Sequence, residues 1–540
     1  MIPWFALALF TSVIASSRPP PPLASGALSF LQDLSVTIIP RRADSPYRKR
    51  AYSDPLQPDW DDRFLLAFSS HGQDPITLSL RPSTTLVHPN GIKTVHTHTN
   101  ELGERTTETK WIQREEIRAY EGWVVDSEKD VKQWIKEEQA GVVRSGDAAS
   151  GSVRIVLHEP EDEDDELRLQ GSFTHAGELY TIHSTPSYLR KKDPLDPEPP
   201  TLQKRSSFGS FIDYQPNMVI VRESDILSPE EHLSSLRKRG LPIPHWLDED
   251  SGGEASAVSC GHDRLAFNTD PSHPIFETSY EQSMLDFEAT TPLLYSVFGM
   301  PSRHPTPAKF GSPRKDVNLY PPNRQLVKRQ GDISGGNNAS GNFINSIGST
   351  AGCPKSAQVL FLGVALDYTS ADLARTQVLT DFNSASALYL SSFNVSLGIV
   401  ELNVQSGACP TTASQVDSAN PWNVGCEEGG GPGLDLNARL STFSQWRGAK
   451  GGSDGAGLWH LLTNCSSGSE VGVAWLGQLC KVSASTSDGQ STSGTGVTAI
   501  TRSEWQVVAH EIGEKFVLSF RWHKLLTRSA RYQATHLAPL

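Results

Sequence analysis

The stretch SEWQVVAHEIGEKFVLSF, residues 503–520, decides how the chain is read. Ser503 and Gln506 form a capping box, S-x-x-Q, which starts a helix by satisfying its first free N–H groups. Trp505, Val508, Ala509, Ile512 and Phe516 then recur at helical spacing and make one apolar face. His510, Glu511 and Glu514 fall on the other side, so the helix is expected to rest on a core and turn a polar edge toward a cleft. On such a helix, positions i and i+4 can hold one metal ion while the residue after i offers a carboxylate. The dipeptide alone carries little. His158-Glu159 repeats it where Pro160 and an acidic run rule out such a helix.

Upstream, the residues alternate as strands and helices do in a layered α/β domain. SAQVLFLGVALD reads as a buried strand, and SADLARTQVLTDFNSASALYLSSF has helical spacing. NVSLGIVELNV returns as a strand, and DLNARLSTFSQW is a second helix. GLWHLLTNC and GSEVGVAWLGQLC follow as strand or edge segments, separated by loops such as EEGGGPG, GAKGGSDGAG and SDGQSTSGTG.

The first half differs in kind. Residues from about 25 to 200 carry period-two patterns broken by turn residues, the mark of a β-rich domain. His96 and His98 in VHTHT share one face of a strand, as two ligands of a metal or as side chains of an ordinary exposed strand. The acidic run Glu159–Glu166 reads as a solvated loop, with calcium binding as the rarer alternative. From about 185 to 330 the chain is rich in Pro, Ser and basic pairs, as a linker with short embedded elements would be. It ends in NRQLVKRQGDISGG, where Lys328-Arg329 offers a site for a dibasic-specific processing protease. Lys204-Arg205 and Arg237-Lys238-Arg239 compete with it, but only at Arg329 does the composition change.

The 540 residues suffice for several domains, and a net charge of −13 argues against nucleic-acid binding, which needs a basic face. The start, MIPWFALALFTSVIASS, has the apolar run and small-residue end of a cleavable secretory signal over residues 1–17, without the usual basic leader. No later window is apolar over the ~18 residues that a membrane span needs. Sequons at Asn338, Asn394 and Asn464 fit a secretory route. Cys260 stands alone in the first half. Cys353, Cys409, Cys426, Cys465 and Cys480 cluster in the second, an odd number that leaves one thiol without a partner in the cluster.

VVAHEIG, preceded by GVAWLGQLC and GVTAITRSEWQ, resembles the reprolysin (adamalysin/ADAM, M12B) zinc metalloproteases, above all the fungal ADAM-like proteins. The resemblance implies a metzincin-like α/β catalytic domain, a mixed sheet with an active-site helix, behind a β-rich propeptide. The implied layout is a signal at 1–17, a propeptide at 18–200, a propeptide linker at 201–329 and the catalytic domain at 330–513. It further implies Zn2+ as cofactor, His510 as first zinc ligand and Glu511 as the general base for zinc-bound water. An edge strand near GSEVGVAWLG would hold the substrate as an added strand. Cys260, in VSCGHDRLAFN, would act as a cysteine switch whose thiolate takes zinc's open position; a buried thiol or an interchain disulfide is the plainer reading. Substrates would be proteins or peptides. The product would be secreted or travel the secretory route, with a cell-surface anchor where a full-length form supplies one.

The family pattern H-E-x-x-H-x-x-G-x-x-H then fails. Glu514 replaces the second histidine, Val517 the glycine, Phe520 the third histidine and Arg521 the aspartate, while Phe516 still fits. Glu514 can lend zinc an oxygen in place of the imidazole, whereas His523 would need a chain reversal to reach it. Residues 514–540 are thus expected to be an off-pattern tail, as an unspliced intron read in frame at Gly513-Glu514 would give. The expectation is a zinc metalloendopeptidase zymogen, inactive in this truncated form. The alternative is a non-catalytic pseudoprotease that binds or inhibits.

Overall fold

The computed structural model describes residues 28–38, 58–70, 75–125 apart from 101, four residues between 131 and 136, and 151–158. It continues with 167–205, 211–243 apart from 228, 259–261, 265–270 and 273, and then 354–371, 375–427, 431–467, 470–501 and 504–516. The expected signal, the acidic run, Lys328-Arg329, Asn338, Cys353, Ser503 and residues 517–540 lie outside the described residues.

The first half supplies strands β1 (Ser29–Ile38), β2 (Phe64–Ser70), β3 (Ile76–Pro82), β4 (Ile92–Thr99), β5 (Arg105–Ile112) and β6 (Ala119–Val125). β7 (Ser152–Leu157), β8 (Leu169–His175), β9 (Glu178–Ser184) and helix α1 (Thr185–Lys191) follow. Then come the pair β10 (Leu202–Arg205) and β11 (Phe211–Tyr214), strand β12 (Met218–Arg222) and helix α2 (Pro229–Arg239). Eight of the strands close an antiparallel barrel in the order β1-β12-β9-β8-β7-β6-β3-β2. Period two explains the closure: Phe64, Leu66 and Phe68, Leu78 and Leu80, and Val153 and Ile155 all turn into one apolar interior. The closing strand β12 lies past residue 200, in a stretch that its prolines and basic pairs make linker-like. Met218 and Ile220 nevertheless alternate inward with the rest.

A short strand β13 (Ser259–Cys260) and turn helix α3 (Ala266–Thr269) lead to the second half. There β14 (Gln358–Leu366), α4 (Arg375–Phe393), β15 (Val395–Gly407), α5 (Leu436–Lys450), β16 (Leu458–Thr463) and β17 (Glu470–Ala474) follow the sequence reading closely. After them come β18 (Ser485–Ser487), β19 (Gln490–Thr492), β20 (Thr495–Ala499) and α6 (Glu504–Phe516). SDGQSTSGTG is therefore a hairpin rather than a loop. Asp488 and Gly489 both take left-handed φ, +49° and +78°, which is what a tight two-residue turn requires.

The large sheet runs β13-β17-β20-β16-β14-β15-β4-β5 and is mixed, since β17 is antiparallel to β20 while β14, β15, β16 and β20 are parallel. Strands from the first half thus sit at both of its ends. VHTHT is the inner strand of a hairpin laid on β15, and His96 and His98 both hydrogen-bond the Ser406 hydroxyl, at 2.8 and 3.2 Å. Helix α4 is covered on two sides, by the sheet and by barrel strands β7 and β8. That explains why its polar residues Gln377, Asp381, Asn383 and Ser384 are buried. Asn383 donates to the Tyr120 carbonyl at 3.1 Å, and Ser384 accepts from Ser172 at 3.0 Å, so barrel groups bond part of that face, while Gln377 donates within the helix to Asp381 at 3.0 Å.

Arg439 on α5 ties the second half together. Its guanidinium, fully buried, meets Asp367 at 3.0 Å and the carbonyls of Trp422, Val424 and Gly425. Cys426 and Cys465 form a disulfide beside it, and Cys409 and Cys480 are free thiols among the described residues. Asn394 ends α4 in a left-handed conformation and donates its amide to the Pro354 carbonyl at 3.0 Å. Asn394 and Asn464, the two described sequon asparagines, are both half-buried, and the Asn464 backbone amide bonds the Thr369 hydroxyl at 2.8 Å.

Candidate active site

Helix α6 is anchored as its spacing demands: Val508, Ala509, Ile512 and Phe516 enter the core shared with β14, β15 and α4. Tyr389 on α4 fixes the helix from that side, donating to the Ala509 carbonyl at 2.7 Å and packing its ring on Phe516. Burial, followed by the nearby Glu514 and Glu511, holds the Tyr389 hydroxyl well above its ordinary range, so it stays a donor.

The polar edge departs from expectation. His510 keeps 26% of its side-chain exposure and Glu514 12%, but Glu511 is fully buried. The reason is a glycine. Gly472 on β17 lies against the Glu511 carboxyl, and a Cβ there would stand 2.2 Å from Oε1. The carboxyl therefore fits under the strand that borders the site rather than beside an open cleft.

The i, i+4 spacing does bring Glu514 to His510, with Oε1 3.4 Å from Nε2. Among the described residues no three His, Cys, Asp or Glu side chains gather to hold a metal ion. A catalytic zinc takes three protein ligands and an open position. The described residues give one imidazole and one carboxylate, and so do not fit that ion.

Three features near the helix carry no signal in the sequence. Lys515 is fully buried and donates to the Glu511 carbonyl at 3.0 Å, in space that Gly496 on β20 leaves open. Buried His460 on β16 bonds Thr498 at 2.8 Å, and burial, then Lys515, pushes its pKa well below the ordinary value, leaving it neutral. At the helix N-terminus Glu504 receives Lys191 of α1 at 2.8 Å beside Asp381 of α4, a cluster drawn from three distant segments. Burial, and next the Glu504 charge, hold the Asp381 carboxyl well above its usual range.

On the outer side of β17 lies β13, parallel, with Ser259 opposite Glu470 and Cys260 opposite Gly472. The Gly261 amide bonds the Gly472 carbonyl at 2.8 Å. Asn268 extends the seam, donating to the Ala474 carbonyl and accepting from the Leu476 amide, both at 2.9 Å. Leu265 is buried in the same core as Trp475, and Phe267 meets the Trp475 ring edge-on. Residue 260 is thus registered opposite the glycine that touches Glu511.

Residues 363–516 match the Reprolysin_5 family, Metallo-peptidase family M12. The chain carries an ADAM-like reprolysin domain. A disintegrin and metalloproteinase domain-containing protein B of Aspergillus fumigatus is 32% identical over 357 residues, 64% of this chain and 38% of the relative. Its namesake in Arthroderma benhamiae is 28% identical over 425 residues, covering 76% and 43%. The chain thus spans about two-fifths of the length of these relatives. A metalloproteinase from Bacteroides fragilis aligns over 82% of this chain and 78% of its own, at 8% identity and a TM-score of 0.28, too low to carry an argument. The mixed sheet and its closing helix are those of a metallopeptidase domain, and α6 ends the matched region.

Proposed function

We propose that the chain is the zymogen form of a secreted reprolysin-type zinc endopeptidase acting on proteins or peptides, and that this form of it has no peptidase activity. In this reading residues 1–17 are a signal, 18–329 a propeptide cut after Lys328-Arg329 by a dibasic-specific protease, and 330–513 the catalytic domain. Glu511 takes the position of the general base, His510 and Glu514 those of two ligands, and residues 514–540 are an off-pattern tail. The pairing of His510 with Glu514, at 3.4 Å where the family has a second imidazole, carries the loss of activity. Without a third ligand among the described residues, no reaction step is assigned to zinc here.

Latency has its own support. A substrate strand and β13 would compete for one edge, because the β17 groups that an extended peptide would use already serve Gly261 and Asn268. Cys260 is the residue this register brings beside the Gly472–Glu511 contact, in keeping with a thiolate switch.

The deciding experiment measures zinc content and peptide hydrolysis of the purified chain, and of the Glu514→His, Val517→Gly, Phe520→His variant, after propeptide removal. The chain as it stands should bind less than stoichiometric zinc and cleave nothing, while the variant gains metal. Stoichiometric zinc in the unaltered chain would overturn the reading. The other reading, a pseudoprotease that binds or inhibits, gains ground if the variant also remains metal-free.

A further inference from the structure

The catalytic sheet is gripped at two edges, and the two grips are unequal. Among the described residues, backbone pairing at the β17 edge is short, made by β13, Gly261 and the Asn268 side chain, with Leu265 and Phe267 packed beside Trp475. At the β15 edge it is long. The Ile399 amide bonds the Leu86 carbonyl at 2.7 Å, and His88 returns to the Ile399 carbonyl at 3.1 Å. Parallel pairing then runs from Lys93 opposite Glu401 to Thr99 opposite Gly407, ending with the Ala408 amide on the Thr99 carbonyl.

Side chains follow the backbone. Leu86, Val87, Ile92 and Ile112 are part of the same apolar cluster as Leu362, Ile399 and Leu402, so the hairpin completes the reprolysin core rather than lying on its surface. Basic residues of the hairpin face acids of the reprolysin domain: Lys93 stands 3.8 Å from Glu401, and Arg105 2.6 Å from Asp417. Two glycines of β15 are shaped by it. A Cβ at Gly398 would come within 2.3 Å of the Thr85 carbonyl, and one at Gly407 within 2.0 Å of the Thr99 carbonyl. The second of these contacts is with the hairpin itself, the first with the segment that leads into it.

We infer that the β15 edge is a docking surface for the β4–β5 hairpin, separate from the cleft, and that it keeps the N-terminal unit bound to the reprolysin domain after the chain between them is cut. This rests on the propeptide reading. Pairing along a sheet edge needs no covalent link, since main-chain hydrogen bonds and alternate buried side chains supply the affinity. Scission removes only the tether, so cutting alone frees neither the β15 edge nor the apolar residues packed on it. The order of events follows from the unequal grips: the short β13 seam lifts first, and the cleft opens while the N-terminal unit is still attached.

The test uses the full chain with a tobacco etch virus protease site replacing residues 326–331. After complete cutting, both fragments should co-elute at the intact mass on size exclusion and separate only in denaturant. Arg105→Glu should speed their separation several-fold, and the Arg105→Glu, Asp417→Arg pair should restore the slow rate. Gly261→Val, which collides with Glu470, should leave co-elution intact, because it disturbs the cleft seam alone. Immediate separation of the unaltered fragments, or separation caused by the Gly261 change and not by the Arg105 change, would overturn the inference. The engineered site supplies the cut, so a failure of natural processing at Lys328-Arg329 would count against the propeptide reading and leave this surface untouched.

Discussion

Replacing Lys191 with methionine should weaken the protein in a manner that depends steeply on pH. Lys191 Nζ lies 2.8 Å from Glu504 Oε1, with the two side chains 14% and 1% exposed, and Asp381 adjoins them in the same buried place. Deleting one partner of a buried ion pair costs about 3–5 kcal/mol because the other is left charged in a poor solvent. Taking the lower figure at pH 8, the melting temperature should fall by roughly 6–12 °C for a domain of this size. Asp381, whose carboxyl is already held above its usual range by burial, escapes the penalty by taking up a proton as the pH falls. By pH 5 the loss should therefore be smaller than at pH 8. Thermal melts of both proteins across pH 5–8 provide the measurement. An equal loss at both ends of the range, or none at pH 8, would show that Lys191 does not neutralise this cluster.

Asp381→Asn isolates the sign of the same cluster. The folded protein holds the Asp381 proton more tightly than the open chain, whose carboxyl has its ordinary value of 3.8, so stability falls as pH rises from there through the raised value. The variant should therefore match the parent near pH 4 and exceed it at pH 8, as equilibrium urea titrations would reveal. Arg439→Ala removes the cation facing buried Asp367 and should cost about 3–5 kcal/mol by denaturant midpoint, with Asp367→Asn in the same chain returning part of it. Cys426→Ser, paired with Cys465→Ser, opens a loop of separation 39 and should cost about 4 kcal/mol by loop entropy, read from melts with and without reductant. Sequencing the messenger across the Gly513-Glu514 codons should recover a spliced form that resumes with histidine; a continuous frame in every transcript would remove the intron explanation.

The reprolysin domain was legible because each of its segments states its own period. GVALD and GIVELNV are apolar runs of strand length, and the faces of α4 and α6 repeat at three and four residues. What stayed hidden was every feature that depends on two distant segments. Nothing local in VHTHT says that its strand joins β15, three hundred residues on, because an edge strand and an inner strand differ only in their neighbours. TDFNSAS on α4 is largely polar, and nothing local in it says that the barrel covers and buries it. For the same reason Glu511 is expected on an edge facing a cleft and is instead buried. Its burial is decided by Gly472, a residue with no side chain to leave a pattern.

If the N-terminal unit is the propeptide proposed above, the buried polar stripe of α4 bears on its removal. A permanent core would carry leucines where Asn383 and Ser384 stand, since burying amides and hydroxyls gains little over apolar packing even when every hydrogen bond is made. Groups that bond Tyr120 and Ser172 in the joined state can bond water equally well once the barrel has gone, so the helix remains soluble in either state. The sheet edges obey the same logic. β15, thirteen residues long with six aliphatic residues, would be an open template for aggregation if it formed before anything paired with it. The β4–β5 hairpin precedes it in the chain and can meet it as it folds. A surface polar where it must be rewetted and paired where it would otherwise aggregate is what a removable folding partner needs, and that requirement holds whether or not the finished site receives its metal.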